Sequence, residues 1–201
     1  MTIIFDMDGT LVDSSTLLAN SINNARKIVG LEPLSYEFIC KNISNPNVDF
    51  AQIFYNSSEI TQDIHKGFRD YFINNYQNEL KLFDGIKELL DKLLEDNFKI
   101  ALATNAYRET TLKSIKFLGI SSYFHTIVTA QDVQNVKPAP DMLLKSIKEL
   151  KSKKALFVGD SNNDKYAAKA AKIPFLQVAF ENSGGVIDSV DKLAKEIEAI
   201  F

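Results

Sequence analysis

Five apolar runs of strand length punctuate the chain, at 2–6, 98–104, 124–129, 154–159 and 174–179. Alternating with them, 85–96, 107–118, 140–150 and 163–171 repeat their apolar residues at helical spacing, and 188–200 reads as a terminal amphipathic helix. Strand and helix in strict alternation predict βαβ units and a mainly parallel sheet of five strands, an α/β fold. The stretch from 14 to 82 breaks the pattern: leucine, isoleucine, phenylalanine and tyrosine recur there at helical spacing, with no buried strand. A crossover between parallel strands needs about a dozen residues, not ~70. The chain therefore divides into a core, 1–13 with 83–201, and an inserted helical domain, 14–82.

Composition narrows the possibilities. The chain has 201 residues, 45% hydrophobic and 24% charged, which suits a globular domain of ordinary size carrying an insertion. A net charge of −3 and the lack of any basic run give no basis for nucleic-acid binding. No apolar stretch approaches the ~20 residues that span a membrane, and the first residues lack the pattern of a signal peptide. The single cysteine, Cys40, excludes an internal disulfide framework and a multi-cysteine zinc site. The expected compartment is the cytoplasm.

The candidate chemistry sits at the strand ends. Asp6 and Asp8 follow Ile3-Ile4-Phe5, and Gly9 closes the run. Residues two apart on a strand share a face, so the expectation is two carboxylates side by side at a C-terminal strand tip, the edge where open α/β sheets bind ligands. Adjacent carboxylates repel, and hard oxygen donors without histidine or cysteine point to Mg²⁺. A solvated turn is the alternative. Thr104 and Asn105 end the second run, as ligands or as a helix N-cap. Lys137 stands before Pro138, which biases it to an extended conformation; it is either a fixed positive charge or one more solvated lysine. Gly159-Asp160 ends the fourth run and Asp164 lies one helical turn on, so Asp160 or Ser161 caps a helix there, with or without a metal role.

Asp6-Met-Asp-Gly-Thr10, Thr104-Asn105, Lys137-Pro138 and Gly159-Asp160-Ser-Asn-Asn-Asp164 together resemble the four ordered motifs of the haloacid dehalogenase superfamily. The likeness is nearest to the phosphoglycolate phosphatase and β-phosphoglucomutase group, with 8–35 similar to the entry into the helical cap and Phe83-Asp84-Gly85 to the exit. The resemblance implies a three-layer Rossmann-like core with a small α-helical cap inserted after the first strand. It implies Asp6 as nucleophile, forming an aspartyl-phosphate, and Asp8 as the acid and base that serves the leaving group and then water. Mg²⁺ would be bound by Asp6, Asp160 and the main-chain carbonyl of Asp8. Thr104, Asn105 and Lys137 would hold the phosphoryl oxygens, and Asp164 would brace the ligands or Lys137 from behind.

A halide leaves without a proton, so Asp8 favours a phosphoester over a haloacid. Thr10 is similar to the phosphatases, where the mutases commonly have valine. The expected activity is hydrolysis of a small phosphorylated metabolite by a monomer. A sugar-phosphate mutase and a catalytically silent binding module are the alternatives. Where phosphoglycolate phosphatases carry a glycine-bearing cap loop, this chain has Lys41-Asn-Ile-Ser-Asn-Pro-Asn47, and Arg26, Lys41, His65 and Arg69 are the cap cations, either partners for a substrate carboxylate or solvated surface. Closure of the cap would hinge near 12–15 and 80–84.

Overall fold

The structure is a computed structural model, and it describes residues 1–43, 45, 47–180 and 187–200. Two compact units emerge, Met1–Asp13 with Lys81–Phe201, and Ser14–Leu80. The larger unit holds a five-stranded sheet built from β1 (Thr2–Phe5), β4 (Lys99–Ala103), β5 (Thr126–Val128), β6 (Ala155–Gly159) and β7 (Phe175–Gln177). Its order is β5-β4-β1-β6-β7 and every pairing is parallel. All five apolar runs contain strands, each shorter than its run, although end residues such as Asp6 and Val178 still donate to the neighbouring strand.

The helices of this unit are α5 (Ile86–Glu95), α6 (Arg108–Phe117), α7 (Asp141–Glu149), α8 (Asn162–Ala171) and α9 (Val190–Ile200). Strand alternation sends Ile4, Ala101, Ala103, Ala155 and Phe157 to one face, where they meet Met142 and Leu143 of α7 and Ala167 and Ala168 of α8. Their neighbours Ile3, Phe5, Ile100 and Leu102 are equally buried on the other side of the sheet. β1 is central, and the chain runs outward from it first through β4 and β5 and then through β6 and β7. The gap between β1 and β6 is thus the topological switch point, where a crevice opens past the strand ends.

One element escaped the sequence. Val12–Asp13 (β2) and Lys81–Leu82 (β3) form a two-stranded antiparallel ribbon, with Val12 opposite Leu82 and Asp13 opposite Lys81. The Lys81–Asp13 ion pair at 3.1 Å spans it. The division between units accordingly falls at Leu80/Lys81 rather than after 82, because Lys81 and Leu82 pair back onto the core unit.

The second unit consists of α1 (Ser15–Ile28), α2 (Tyr36–Ile43), α3 (Phe50–Tyr55) and α4 (Gln62–Glu79). Ala19, Ile22 and Ala25 of α1 pack with Ile39, Phe54, Tyr55 and Ile64. At Gly67 of α4 a methyl group would come within 2.9 Å of the Ala25 Cα, so glycine permits the close approach of α4 to α1. In the expected substrate loop, Ser44 and Pro46 lie outside the described residues.

Candidate active site

β1 ends at Phe5, so Asp6 and Asp8 both stand beyond the strand, and strand alternation does not relate them. A tight turn does. The amides of Leu11 and Val12 converge on the Met7 carbonyl at 2.9 and 3.0 Å, and the Gly9 amide returns to the Val12 carbonyl at 2.8 Å. Gly9 adopts φ +77°, and a methyl group there would lie 2.5 Å from a carboxylate oxygen of Asp160. Glycine is required twice over, by conformation and by space. Asp8 sits half-buried in this turn, bridged to Val12.

Asp6 keeps its amide on the Val158 carbonyl at 2.9 Å, which ties it to β6 as well as β1. Its carboxylate is buried and accepts from Lys137 Nζ at 2.6 Å. The same ammonium donates to Asp164 at 2.7 Å and lies 5.4 Å above the centre of the Phe157 ring. Lys137, expected either solvated or fixed, is only 4% exposed. Burial by itself would lower its pKa, but Asp164 and Asp6 outweigh that and carry it above the usual lysine value, so it stays charged.

Asp160 follows the last residue of β6 and accepts from the Thr10 hydroxyl at 3.2 Å, while Gln177 donates to its carbonyl at 3.2 Å. Asp164 is fully buried and is fixed at both oxygens. One meets Lys137, and the other accepts from the amide and hydroxyl of Ser161. Ser161 in turn accepts from the Asp164 amide, a capping box that starts α8, so Ser161 rather than Asp160 is the N-cap. A methyl group on Gly159 would lie 2.6 Å from the Asp164 Cβ, so glycine lets the strand end pass close to the helix start.

Asp6, Asp160 and Asp164 each offer a carboxylate oxygen, all within 4.8 Å of one another. Three carboxylates face one lysine. Burial pushes the Asp6 carboxyl well above its ordinary range; Lys137 pulls it down, and Asp164 and Asp160 push it further up. Asp160 is pushed up to about 7, by burial first and by Asp164 second, with Lys137 and the Thr10 hydroxyl opposing. This surplus of negative charge among hard oxygen donors fits a divalent cation such as Mg²⁺. Asp164, with both oxygens already hydrogen-bonded, suits a bracing role better than direct ligation.

The remaining expected residues lie at the tip of β4. Thr104 is buried, and its hydroxyl accepts from the Ala106 amide at 3.1 Å. Asn105 is exposed and its side-chain amide binds the main chain of Lys137. Neither caps α6, whose N-cap is Tyr107. Among the cap cations, Arg26 is buried on the carbonyls of Glu32 and Phe54, and Arg69 pairs with Asp70 at 3.4 Å. Sequence reasoning missed the bond from Thr10 to Asp160 and the Asn105–Lys137 contact. No local signal announces either, since the partners are 150 and 32 residues apart. The Ser161-x-x-Asp164 spacing, by contrast, is a legible capping-box pattern.

These carboxylates and the lysine, at the switch point of a parallel sheet, define a hydrolase of the haloacid dehalogenase-like family: the family model matches residues 3–178, and the chain belongs to that family. Among curated relatives, the pyrophosphatase PpaX of Halalkalibacterium halodurans is 28% identical over 91% of this chain and 85% of its own length. The phosphoglycolate phosphatase of Photorhabdus laumondii is 31% identical over 89% of this chain and 80% of its own. Among solved structures, a predicted phosphoglycolate phosphatase of Haemophilus somnus superposes with a TM-score of 0.82 at 27% identity, covering 100% of this chain and 97% of that one.

Proposed function

We propose that the chain is a Mg²⁺-dependent phosphatase of small phosphomonoesters, acting in the cytoplasm as a monomer with Asp6 as nucleophile. The observation that carries this reading is the buried Asp6 carboxylate, 2.6 Å from Lys137 Nζ and grouped with Asp160 and Asp164. An Asp6 oxygen attacks phosphorus in line, and the ester P–O bond breaks as Asp8 gives its proton to the leaving oxygen. Asp8 then takes a proton from water, the water oxygen bonds to phosphorus, and the bond from phosphorus to Asp6 breaks, releasing phosphate. Lys137 has one N–H beyond the two given to Asp6 and Asp164, and that donor, with the Thr104 hydroxyl, would meet phosphoryl oxygens.

Asp6, Asp160 and the Asp8 carbonyl would hold the Mg²⁺, which offsets the charge between an anionic carboxylate and an anionic phosphoryl group. Asp164 braces Lys137 and the start of α8. A screen of phosphate release over phosphorylated metabolites, with and without Mg²⁺, tests the reading. Release that requires Mg²⁺ and disappears in Asp6→Asn supports it, and Mg²⁺-independent release contradicts it. Pyrophosphate belongs in the screen, because relatives named pyrophosphatase match as well as those named phosphoglycolate phosphatase. Its leaving group is a phosphate, so the same displacement serves with less demand on the acid. A sugar-phosphate mutase would give isomer in place of free phosphate.

A further inference from the structure

Asn105 stands just past β4, where the Thr104 amide is tied to the Val128 carbonyl at 3.0 Å. Both ends of its side chain are committed to one residue. Nδ2 donates to the Lys137 carbonyl at 2.9 Å, and Oδ1 accepts from the Lys137 amide at 3.0 Å. The partners fix the orientation of the amide, since a flip would set N–H against N–H and O against O. A two-bond exchange with the N–H and C=O of one residue is what a strand residue makes with its partner in an antiparallel ladder. Here a side chain stands in for the missing strand.

Lys137 needs such a partner. The next residue is Pro138, which has no N–H to tie the loop. The other ties in the loop flank Lys137: Ala139 to the Val136 carbonyl at 2.9 Å, and the Asn135 amide and side chain to Asp141 at 3.2 and 3.1 Å. Among the described residues, only the Asn105 side chain holds the Lys137 main chain. The position of the Lys137 backbone decides where Nζ arrives between Asp6 and Asp164. One Nδ2 hydrogen and one Oδ1 lone pair of Asn105 are engaged in this clamp, which fixes the plane of its amide on the Lys137 main chain.

We propose that Asn105 is a positioning residue that acts through the Lys137 backbone and does not itself bind the phosphoryl group. Its kinetic consequence rests on the phosphatase reading; the clamp itself does not. Two variants test it, followed by amide hydrogen exchange at Lys137, steady-state kinetics and inhibition by inorganic phosphate. Asn105→Ala removes both bonds. Its Lys137 amide exchanges faster and kcat falls about 10- to 100-fold as for other residues that orient a reacting group, while any rise in KM and in the phosphate inhibition constant stays smaller than the fall in kcat, because Asp6 and Asp164 still hold Nζ. Asn105→Asp keeps the acceptor but sets a carboxylate oxygen against the Lys137 carbonyl, so the amide stays protected while kcat falls. A rise in KM and in the phosphate inhibition constant at unchanged kcat overturns the proposal in favour of direct binding. Unchanged Lys137 exchange in Asn105→Ala overturns it whether or not the protein proves to be a phosphatase. Failure of the wild-type protein to hydrolyse any phosphoester counts against the phosphatase reading alone.

Discussion

Lys137 and Arg26 are both buried cations, and the company they keep differs. Lys137 lies between two carboxylates, Asp6 and Asp164, at 2.6 and 2.7 Å. Arg26, in the helical unit, donates to the main-chain carbonyls of Glu32 and Phe54, and among the described residues the ionisable group acting on it is the Tyr55 phenol. A guanidinium on carbonyls closes off a loop and a helix end; its charge does no further work. An ammonium shared by two carboxylates, beside a third, maintains a charged cluster whose burial costs stability and whose retention needs another reason. On the proposed function, chemistry is the reason at Lys137, and packing suffices at Arg26.

Substitution at each cation separates these roles. Lys137→Met takes away the charge opposite Asp6, and we expect turnover to fall at least ~10²–10³-fold, the scale for losing one donor to a developing oxyanion. Arg26→Met removes the donor to the buried Phe54 carbonyl and to the more exposed Glu32 carbonyl. We expect it to lower unfolding free energy by about 1–3 kcal/mol in chemical denaturation, with kcat and KM of the folded protein unchanged. Equal effects of the two substitutions on turnover would erase the distinction.

pH sharpens it. In the folded protein Asp160 is pushed up from an ordinary 3.8 to about 7, so it holds a proton that the unfolded chain has already released. The stability linked to that proton is present below the unfolded value and is lost as pH rises toward 7. Metal-free protein should therefore melt at a lower temperature at pH 8 than at pH 5, and Mg²⁺ should restore more at pH 8. Insensitivity of the melting temperature to Mg²⁺ at pH 8 would remove the metal from this cluster.

A smaller effect is expected at Asp132, a carboxylate set in a capping box. Burial would raise its pKa, but the Thr129 hydroxyl and amide, with Arg108, hold it below the ordinary value. Asp132→Ala should cost about 1 kcal/mol in denaturation, the usual scale for a lost cap, and leave turnover alone.

Much of this was legible in the chain. The five apolar runs marked the strands, and a parallel sheet brings its C-terminal strand tips to one edge, which accounts for Asp6 beside Asp160. Lys137 joins them from the loop beyond β5 and Asp164 from the first turn of α8. The ribbon of β2 and β3 was not legible, since two-residue strands carry no periodicity and these pair across the whole inserted unit. Nor was the burial of Lys137. A lysine before a proline reads as solvated until two carboxylates from distant segments are seen to enclose it. Arg26 misled for the same reason, because its carbonyl partners leave no trace in side-chain chemistry.

The central claim is that Asp6 carries the phosphoryl group. The most direct measurement quenches the wild-type enzyme in acid during turnover of its best phosphoester, treats it with borohydride, and maps the products by peptide mass spectrometry. An acyl phosphate is reduced where a free carboxylate is not, so the account predicts homoserine in place of Asp6 and none at Asp8, Asp160 or Asp164. Phosphate release with Asp6 unmodified under these conditions, or reduction at another of these carboxylates, would contradict it.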